Sequence, residues 1–166
     1  MTALPEIVST ARLRLPLIGP DEAREMLAGH RDPSWHPDYP REDDLAAASM
    51  IKEPSCWAPR HLVRALDGLA VGSIGFYGPP EPGDDGVPEV EIGYGLVAEA
   101  RGHGAATEAV LALLAYTDAA GVRVRASVLP DNAASMRVVA KCGFTVLRGA
   151  DDEGNLVMAR PLPVTR

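Results

Sequence analysis

The spacing of apolar and polar positions predicts strands and helices along the whole chain, with no linker that would separate two domains. Strands are predicted where β-branched residues alternate with polar ones or run together between turn residues. These strands span residues 12–17, 60–66, 70–76, 90–97, 122–129, 144–148 and 155–160. Alanine- and leucine-rich stretches and helix start signals predict helices over 21–28, 42–52, 105–120 and 133–142. Mostly antiparallel strands with segregated helices make α+β the expected fold class.

The composition supports a single folded domain over residues 1–166 and excludes several other classes of protein. Hydrophobic residues make up 46% of the chain and charged residues 23%, which are ordinary values for a globular domain. No apolar run approaches the ~20 residues of a membrane span, and no signal peptide opens the chain. Two cysteines, Cys56 and Cys142, are too few for a disulfide framework. We therefore expect a cytoplasmic protein that does not bind membranes.

The charge distribution limits the choice of partner. The net charge is −7, with acidic clusters at residues 42–44, 84–85 and 151–153. This balance argues against a nucleic-acid partner, because a phosphate backbone is bound by basic surfaces. It is compatible with a cationic amine as substrate, although acidic runs are usually solvated surface. The four histidines have no metal-ligand spacing, so no metal is expected.

A glycine-interrupted strand, a basic turn and a helix follow one another between residues 89 and 120. Glycine inside a strand usually marks a bulge or a close approach of the backbone to another group. The turn at 101–106 combines one arginine with small residues, and the first N–H groups of the next helix lack intrahelical partners. This order predicts a binding site for a phosphate group. The competing dinucleotide fingerprint, Gly93-x-Gly95-x-x-Ala98, is disfavoured because the helix starts too late.

Several short motifs carry a family resemblance. Arg101-x-x-Gly104-x-Ala106 matches one signature of the GNAT N-acetyltransferase superfamily, and Asn132-Ala133-Ala134-Ser135 with Gly143-Phe144 resembles the second. With Glu91-Ile92-Gly93-Tyr94 and the Thr10–Leu15 segment, the chain is similar to the RimJ/RimL-type branch, whose founding members acetylate ribosomal-protein N-termini. The resemblance covers nearly the whole chain. It implies a mixed, roughly seven-stranded, mostly antiparallel sheet with splayed central strands and about four helices.

The resemblance also implies acetyl-CoA as co-substrate. The residues that it assigns to the coenzyme are Leu96, Val97, Arg101, Gly102, His103, Gly104, Ala105, Ala106, Asn132 and Ser135. Small residues in the turn would let several backbone N–H groups converge on the pyrophosphate. From the residues alone, Asp131 or Asn132 is a helix N-cap, with Ser135 on the first turn.

Two residues are assigned catalytic roles by the resemblance. Glu91 is the expected general base, acting through water, and Ser135 is the expected donor to the departing thiolate. Many members of the superfamily use a tyrosine four residues before the glycine-phenylalanine pair, where this chain has Val139, which cannot donate a proton. Glu89 lies on the same strand face as Glu91. Glu91 could instead be the structural partner of an arginine on a neighbouring strand.

The acceptor side is expected to lie among variable loops that carry aromatic residues. The resemblance places Trp35, Tyr39 and Phe76 there with Glu91. The favoured acceptor is the α-amine of a peptide, protein or small molecule, because an α-amine (pKa about 7.7–8.0) is partly neutral at pH 7, whereas lysine (about 10.4) is not. The alternative enzyme is a detoxifying acetyltransferase that acts on an antibiotic, polyamine or amino acid. The non-enzymatic alternative is a module that senses acyl-CoA. We expect a monomer or homodimer.

Overall fold

The computed structural model describes residues 3–164, and within this range it contains one mixed sheet and four α-helices. The strands are β1 (Ile7–Ser9), β2 (Leu13–Pro16), β3 (Arg60–Arg64), β4 (Ala70–Phe76), β5 (Glu81–Pro82), β6 (Pro88–Leu96), β7 (Arg123–Val128), β8 (Val146–Ala150) and β9 (Leu156–Arg160). The helices are α1 (Pro20–Leu27), α2 (Glu42–Ala48), α3 (Ala105–Ala119) and α4 (Ala133–Lys141), with a 3-10 turn at Ala98–Ala100. The predicted α+β class is confirmed.

The sheet has the order β1-β2-β3-β4-β6-β7-β9-β8, and β5 pairs with the start of β6. β6 and β7 are parallel, and the other neighbouring pairs are antiparallel. The prediction of about seven strands missed β1 and β5, because strands of three and two residues are too short for alternation to show. Several boundaries also differ by two residues or more; the largest difference is at α2, which ends at Ala48 instead of Lys52, and β8 begins at Val146 instead of Phe144.

The central parallel pair separates partway along its length, as the family resemblance implied. β7 pairs with β6 only over residues 89–91, and β6 then continues beside β4 as far as Leu96. Val97 N–H donates to Val71 O and Tyr77 N–H to Glu91 O, so odd-numbered positions of β6 exchange hydrogen bonds with β4. Tyr94 and Leu96 therefore turn their N–H groups toward β7, where the pairing has ended. We call this separation the β6–β7 gap.

The two helix pairs cover opposite faces of the sheet. Glu22 of α1 hydrogen-bonds His61 on β3, and Asp44 of α2 accepts a hydrogen bond from Ser73 on β4, which pairs with His61. On β6, Tyr94 contacts Ser135 of α4, and it therefore faces away from the α1–α2 side. Helix α3 packs on the same face as α4 and is buried along its apolar side. In the described part of the chain, no helix is both long enough and apolar enough to cross a membrane.

A buried arginine ties three segments together at the α3 face of the sheet. Arg60 on β3 is fully buried, and its guanidinium donates to the carbonyl oxygens of Leu15 (3.0 Å), Glu6 (3.3 Å) and Cys56 (3.3 Å). Burial lowers the pKa of Arg60 to about 10. Because the planar guanidinium places several N–H donors in a fixed fork, it can serve carbonyls from three directions, which an ammonium group cannot do as well.

We expect Arg60→Lys to lower the free energy of unfolding by about 2 kcal/mol, because at least one buried carbonyl loses its donor. Urea unfolding followed by circular dichroism measures the loss. Arg64→Lys, on the same strand but in half-exposed ion pairs with Asp67 and Glu99, is the matched control and should cost less than about 1 kcal/mol. Equal losses in the two variants would contradict the assigned role of Arg60.

Candidate active site

The turn before α3 has the geometry of an anion site. Gly104 is the helix N-cap with a left-handed φ of 81°, and no side chain caps the first turn of α3. Gly102 also has a positive φ (83°), with open space where a side chain would lie. Both positions thus favour glycine, and the first N–H groups of α3 stay accessible to a ligand. Arg101 was expected to contact the coenzyme. Its Nε instead donates to Leu96 O at 3.1 Å, so only part of the guanidinium is available for a ligand.

A segment from the start of the chain clamps this turn. Arg12 donates from Nη1 to His103 O (2.9 Å) and from Nε to Glu108 in the first turn of α3 (2.7 Å). Thr10 Oγ1 donates to the same carboxylate at 2.5 Å. Thr10 and Arg12 entered the sequence analysis only as part of the family resemblance, because contacts across more than 90 positions leave no local signal. The clamp holds the backbone of the anion site in place from outside.

The expected coenzyme residues next to the gap divide into two groups. Leu96 turns its N–H toward the gap, whereas Val97 is buried and its N–H donates to Val71 O at 2.8 Å. The expected contact at Val97 is therefore wrong, because neither its side chain nor its amide hydrogen is free to meet a ligand. Sequence spacing could not show this, because it depends on the β4 register.

Asn132 and Ser135 lie where β7 passes into α4. Asn132 is the N-cap, with Oδ1 accepting the Ser135 N–H at 3.1 Å, so the structural role weighed for it is present. Ser135 Oγ lies 2.8 Å from the phenolic oxygen of Tyr94 on β6, across the gap. The amide nitrogen of Asn132 has no role in the cap, which leaves it able to contact a ligand as well.

A cavity of about 890 Å³ opens on the α2 side of β6. It lies between α2, the segment before β3, the end of β4 and the β8–β9 turn. Its charged lining residues are Asp43, Asp44, Glu53, Glu91, Asp151 and Glu153, opposed by Arg41 and Lys52. This excess of carboxylates favours a positively charged ligand.

The glycines of β6 form part of the cavity wall, and they explain the interrupted strand. A Cβ at Gly93 would lie 2.3 Å from the Tyr77 hydroxyl oxygen, and one at Gly95 would lie 2.1 Å from an Arg41 nitrogen. The strand carries no bulge in its pairing with β4. Of the two meanings that glycine in a strand usually has, close approach is therefore the one that applies.

Arg41 is held against Gly95 by a buried carboxylate. Asp44, only 1% exposed, accepts hydrogen bonds from the Arg41 backbone N–H (2.8 Å) and from two guanidinium nitrogens (both 2.9 Å). Ser73 on β4 donates to the same carboxylate at 2.5 Å. This pairing fixes the guanidinium at the cavity wall. The sequence pattern missed Arg41, since its contact with Gly95 joins residues that are far apart in the chain.

The structure separates the roles of the two glutamates on β6. Glu89 is buried and accepts hydrogen bonds from Arg123 (2.6 Å), Arg125 (2.7 Å) and Arg148 (2.7 and 2.8 Å). These arginines, Arg148 foremost, lower the pKa of Glu89 to about 2. A carboxylate held so firmly in its ionised form is a poor proton acceptor at neutral pH.

Glu91 lies at the cavity with its side chain 25% exposed. Its Oε1 accepts hydrogen bonds from Arg125 Nε and Ser127 Oγ, both at 3.2 Å. Both functions weighed for Glu91 are therefore compatible with its position: it pairs with an arginine and it faces the cavity. Of the two glutamates, only Glu91 is placed to accept a proton from a ligand in the cavity.

The expected aromatic contacts are partly wrong. Tyr39 is fully buried and its hydroxyl bonds His61 Nδ1 at 2.6 Å, so it cannot touch a substrate. Trp35 packs edge-on against Tyr39, with ring centroids 5.7 Å apart, and lies outside the cavity lining. The proline-broken segment around them folds onto the core instead of onto the acceptor side. Phe76 does line the cavity and packs edge-on against Trp57 at 5.2 Å.

Within residues 3–164, no cluster of three or more histidine, cysteine, aspartate or glutamate side chains is arranged to hold a metal ion.

Comparison with known proteins identifies the family. The model of the acetyltransferase (GNAT) domain matches residues 12–145. The chain therefore belongs to the GNAT acetyltransferase family, whose members transfer acetyl groups from acetyl-CoA. A comparison with curated protein sequences found no match.

Solved structures support the same fold. A GnaT-family acetyltransferase from Bordetella pertussis is 26% identical with a TM-score of 0.64, and the match covers 95% of this chain and 100% of that one. The ribosomal-protein-S5-alanine acetyltransferase from Vibrio fischeri is 16% identical (TM-score 0.63, covering 94% and 96%). The microcin C7 self-immunity acetyltransferase MccE, solved with acetyl-CoA and AMP, is 16% identical (TM-score 0.60, covering 91% and 93%). The last two likenesses show the fold alone.

We expect Glu89→Gln to destabilise the protein at pH 7 by about 2–3 kcal/mol, because three arginines lose a charged acceptor. The pKa of Glu89 is depressed in the folded state, so its stabilisation is present above the unfolded value of about 4.3 and is lost as pH falls toward 2. Urea unfolding at several pH values should show the difference between wild type and variant shrinking across this window. Glu91→Gln is the control, and it should lower the free energy of unfolding by less than Glu89→Gln does. A difference independent of pH would contradict the assignment.

Proposed function

We propose that the protein is an acetyl-CoA-dependent N-acetyltransferase that moves the acetyl group directly to a primary amine held in the acidic cavity. The observation that carries the proposal is the β6–β7 gap. It lies between the anion turn on the α3 side and the cavity on the α2 side, and Glu91 stands at its cavity end. A gap with free backbone donors between two binding regions lets two reactants meet in line, which supplies proximity.

The turn fits the pyrophosphate of coenzyme A. Gly102 and Gly104 remove side chains from the approach to the first turn of α3, and a helix N-terminus without a cap favours an anion. Acetyl-CoA, when bound, supplies an activated thioester. The N–H of Leu96, directed into the gap, is a suitable donor to the oxygen on which charge develops during acyl transfer.

Glu91 and Ser135 take the proton-handling roles. Glu91, through water, accepts the proton that the amine loses as its nitrogen bonds to the acetyl carbon. Ser135 donates a hydrogen bond to the sulfur as the carbon–sulfur bond breaks. The nitrogen gives up one proton and the departing thiolate gains one, so no further reactant is needed.

The cavity favours an acceptor with positive charge around its reacting amine. Six carboxylates against two basic side chains would raise the local concentration of a cation. The α-amine of a peptide or protein, as in the RimJ/RimL-type branch, and a small polyamine both meet this requirement. A volume of about 890 Å³ also accommodates an antibiotic or amino acid, which keeps the detoxifying role as the second candidate.

Gly104→Glu should weaken coenzyme A binding at least tenfold, about 1.4 kcal/mol, because it adds bulk and negative charge at the pyrophosphate site. Isothermal titration of the folded variants with coenzyme A measures this loss. Gly121→Glu is the matched control: it adds the same charge at a glycine of positive φ (68°) just beyond the other end of α3. If both variants bind as the wild type does, the turn is not the coenzyme site.

Glu91→Gln should lower kcat about a hundredfold with coenzyme A affinity unchanged, and the loss should shrink at high pH, where more of the amine is neutral. Release of free thiol from acetyl-CoA is measured with a panel of peptides, amino acids, polyamines and aminoglycosides. Glu89→Gln, assayed where it is folded, should keep most of the rate. Wild-type protein that binds acetyl-CoA but releases no thiol with any amine would support the sensor instead of the enzyme.

A further inference from the structure

We propose that Tyr94 is a positioning residue that sets the direction of the Ser135 hydroxyl during acetyl transfer. The inference rests on the proposed function and adds a residue that the sequence motifs do not assign. Its basis is one contact: the phenolic oxygen of Tyr94 lies 2.8 Å from Ser135 Oγ and 3.4 Å from the Ser135 carbonyl oxygen.

The location of Tyr94 sets it apart from the other tyrosines. It lies on β6 beyond the last pair with β7, so its backbone borders the gap. Its side chain crosses to α4, the helix that follows β7, and so links the two walls of the gap. Tyr94 also contributes to the lining of the acceptor cavity. The residue therefore borders the cavity on one face of the sheet, while its phenol lies on the α4 face next to Ser135.

The chemistry of the two hydroxyls sets the direction of their hydrogen bond. A phenol is a stronger acid than an aliphatic alcohol, and the phenolic oxygen lies closer to Ser135 Oγ (2.8 Å) than to Ser135 O (3.4 Å), so we assign Tyr94 as the donor and Ser135 Oγ as the acceptor. Burial raises the pKa of Tyr94, which keeps the phenol protonated at neutral pH. With Oγ accepting from Tyr94, the proton of Ser135 is free to point elsewhere, and the gap is the open direction. Val139, one helical turn further along α4, is buried and has no donor to offer.

The pair acts by hydrogen bonding and keeps both of its protons. The carbon–nitrogen bond forms and the carbon–sulfur bond breaks. The Ser135 hydroxyl donates a hydrogen bond to the electron pair that remains on sulfur. An alkyl thiol (pKa about 8.5) is a stronger acid than a phenol (about 10), so full transfer of the phenolic proton to the thiolate is unfavourable. The thiolate takes its proton from solvent, which receives the one lost by the amine.

The pKa of the thiol of bound coenzyme A reports the hydrogen bond from Ser135 to sulfur, and no amine substrate is needed to measure it. This pKa is measured from the ultraviolet absorbance of the thiolate in protein saturated with coenzyme A, and the complex with desulfo-coenzyme A is the blank for protein tyrosines. The proteins compared are the wild type, Tyr94→Phe, Ser135→Ala and the double variant. Tyr116→Phe, a tyrosine of α3 outside the site, is the matched control, and urea unfolding verifies that each variant is folded.

We expect the wild type and Tyr116→Phe to lower the thiol pKa by about one unit relative to free coenzyme A, as a hydrogen bond to a charged acceptor does. Tyr94→Phe and Ser135→Ala should each lose most of this shift, and the double variant should lose no more than Ser135→Ala. With an acceptor amine, Tyr94→Phe should lower kcat about tenfold at unchanged KM for acetyl-CoA.

The outcomes separate the inference from the proposed function. Full retention of the thiol pKa shift in Tyr94→Phe would overturn the role of Tyr94 and leave the proposed function standing. Losses that add in the double variant would do the same, because a residue that acts through Ser135 cannot have an effect when Ser135 is absent. Equal thiol pKa values in all proteins and in free coenzyme A would overturn it as well. A wild type that does not bind coenzyme A would count against the proposed function itself.

Discussion

The structure depends above all on the separation of β6 from β7 after residue 91. Glu89 and its three arginine partners hold the two strands together at the closed end, where a buried carboxylate is surrounded by charge-assisted hydrogen bonds. Beyond that point, β6 follows β4 and leaves backbone donors without a strand partner. A buried ion cluster of this kind is valuable mainly for the geometry that it fixes. Here, it lies beside the last β6–β7 pairs, at the closed end of the gap.

Alternation along β6 distributes the functions between the two faces of the sheet. Odd-numbered positions face α2: Glu91 reaches the cavity, while Gly93 and Gly95 leave room for Tyr77 and Arg41. Even-numbered positions face the other side, where Tyr94 meets α4. One strand thus borders the cavity proposed for the acceptor, the gap and the face proposed for the coenzyme. A shift of its register by one residue would exchange these roles.

Local chemistry made much of this predictable from the sequence. The fold class, the long strands, the helix after the glycine turn and a helix N-cap at Asp131 or Asn132 follow from periodicity and capping. Contacts between distant segments were not predictable. Nothing local shows that Tyr39 turns inward to His61, that the Val97 amide is used by β4, or that Arg41 packs on Gly95. Each depends on the relative placement of separate elements, which only the folded chain determines.

Amide hydrogen exchange with and without coenzyme A tests the central claim most directly. If the gap and the turn hold the coenzyme, added coenzyme A should slow exchange in peptides covering residues 94–97 and 102–107. Peptides from the far end of α3 should not change, because their amides are already bonded within the helix and lie away from the turn. Binding of coenzyme A with no protection in either segment would contradict the account.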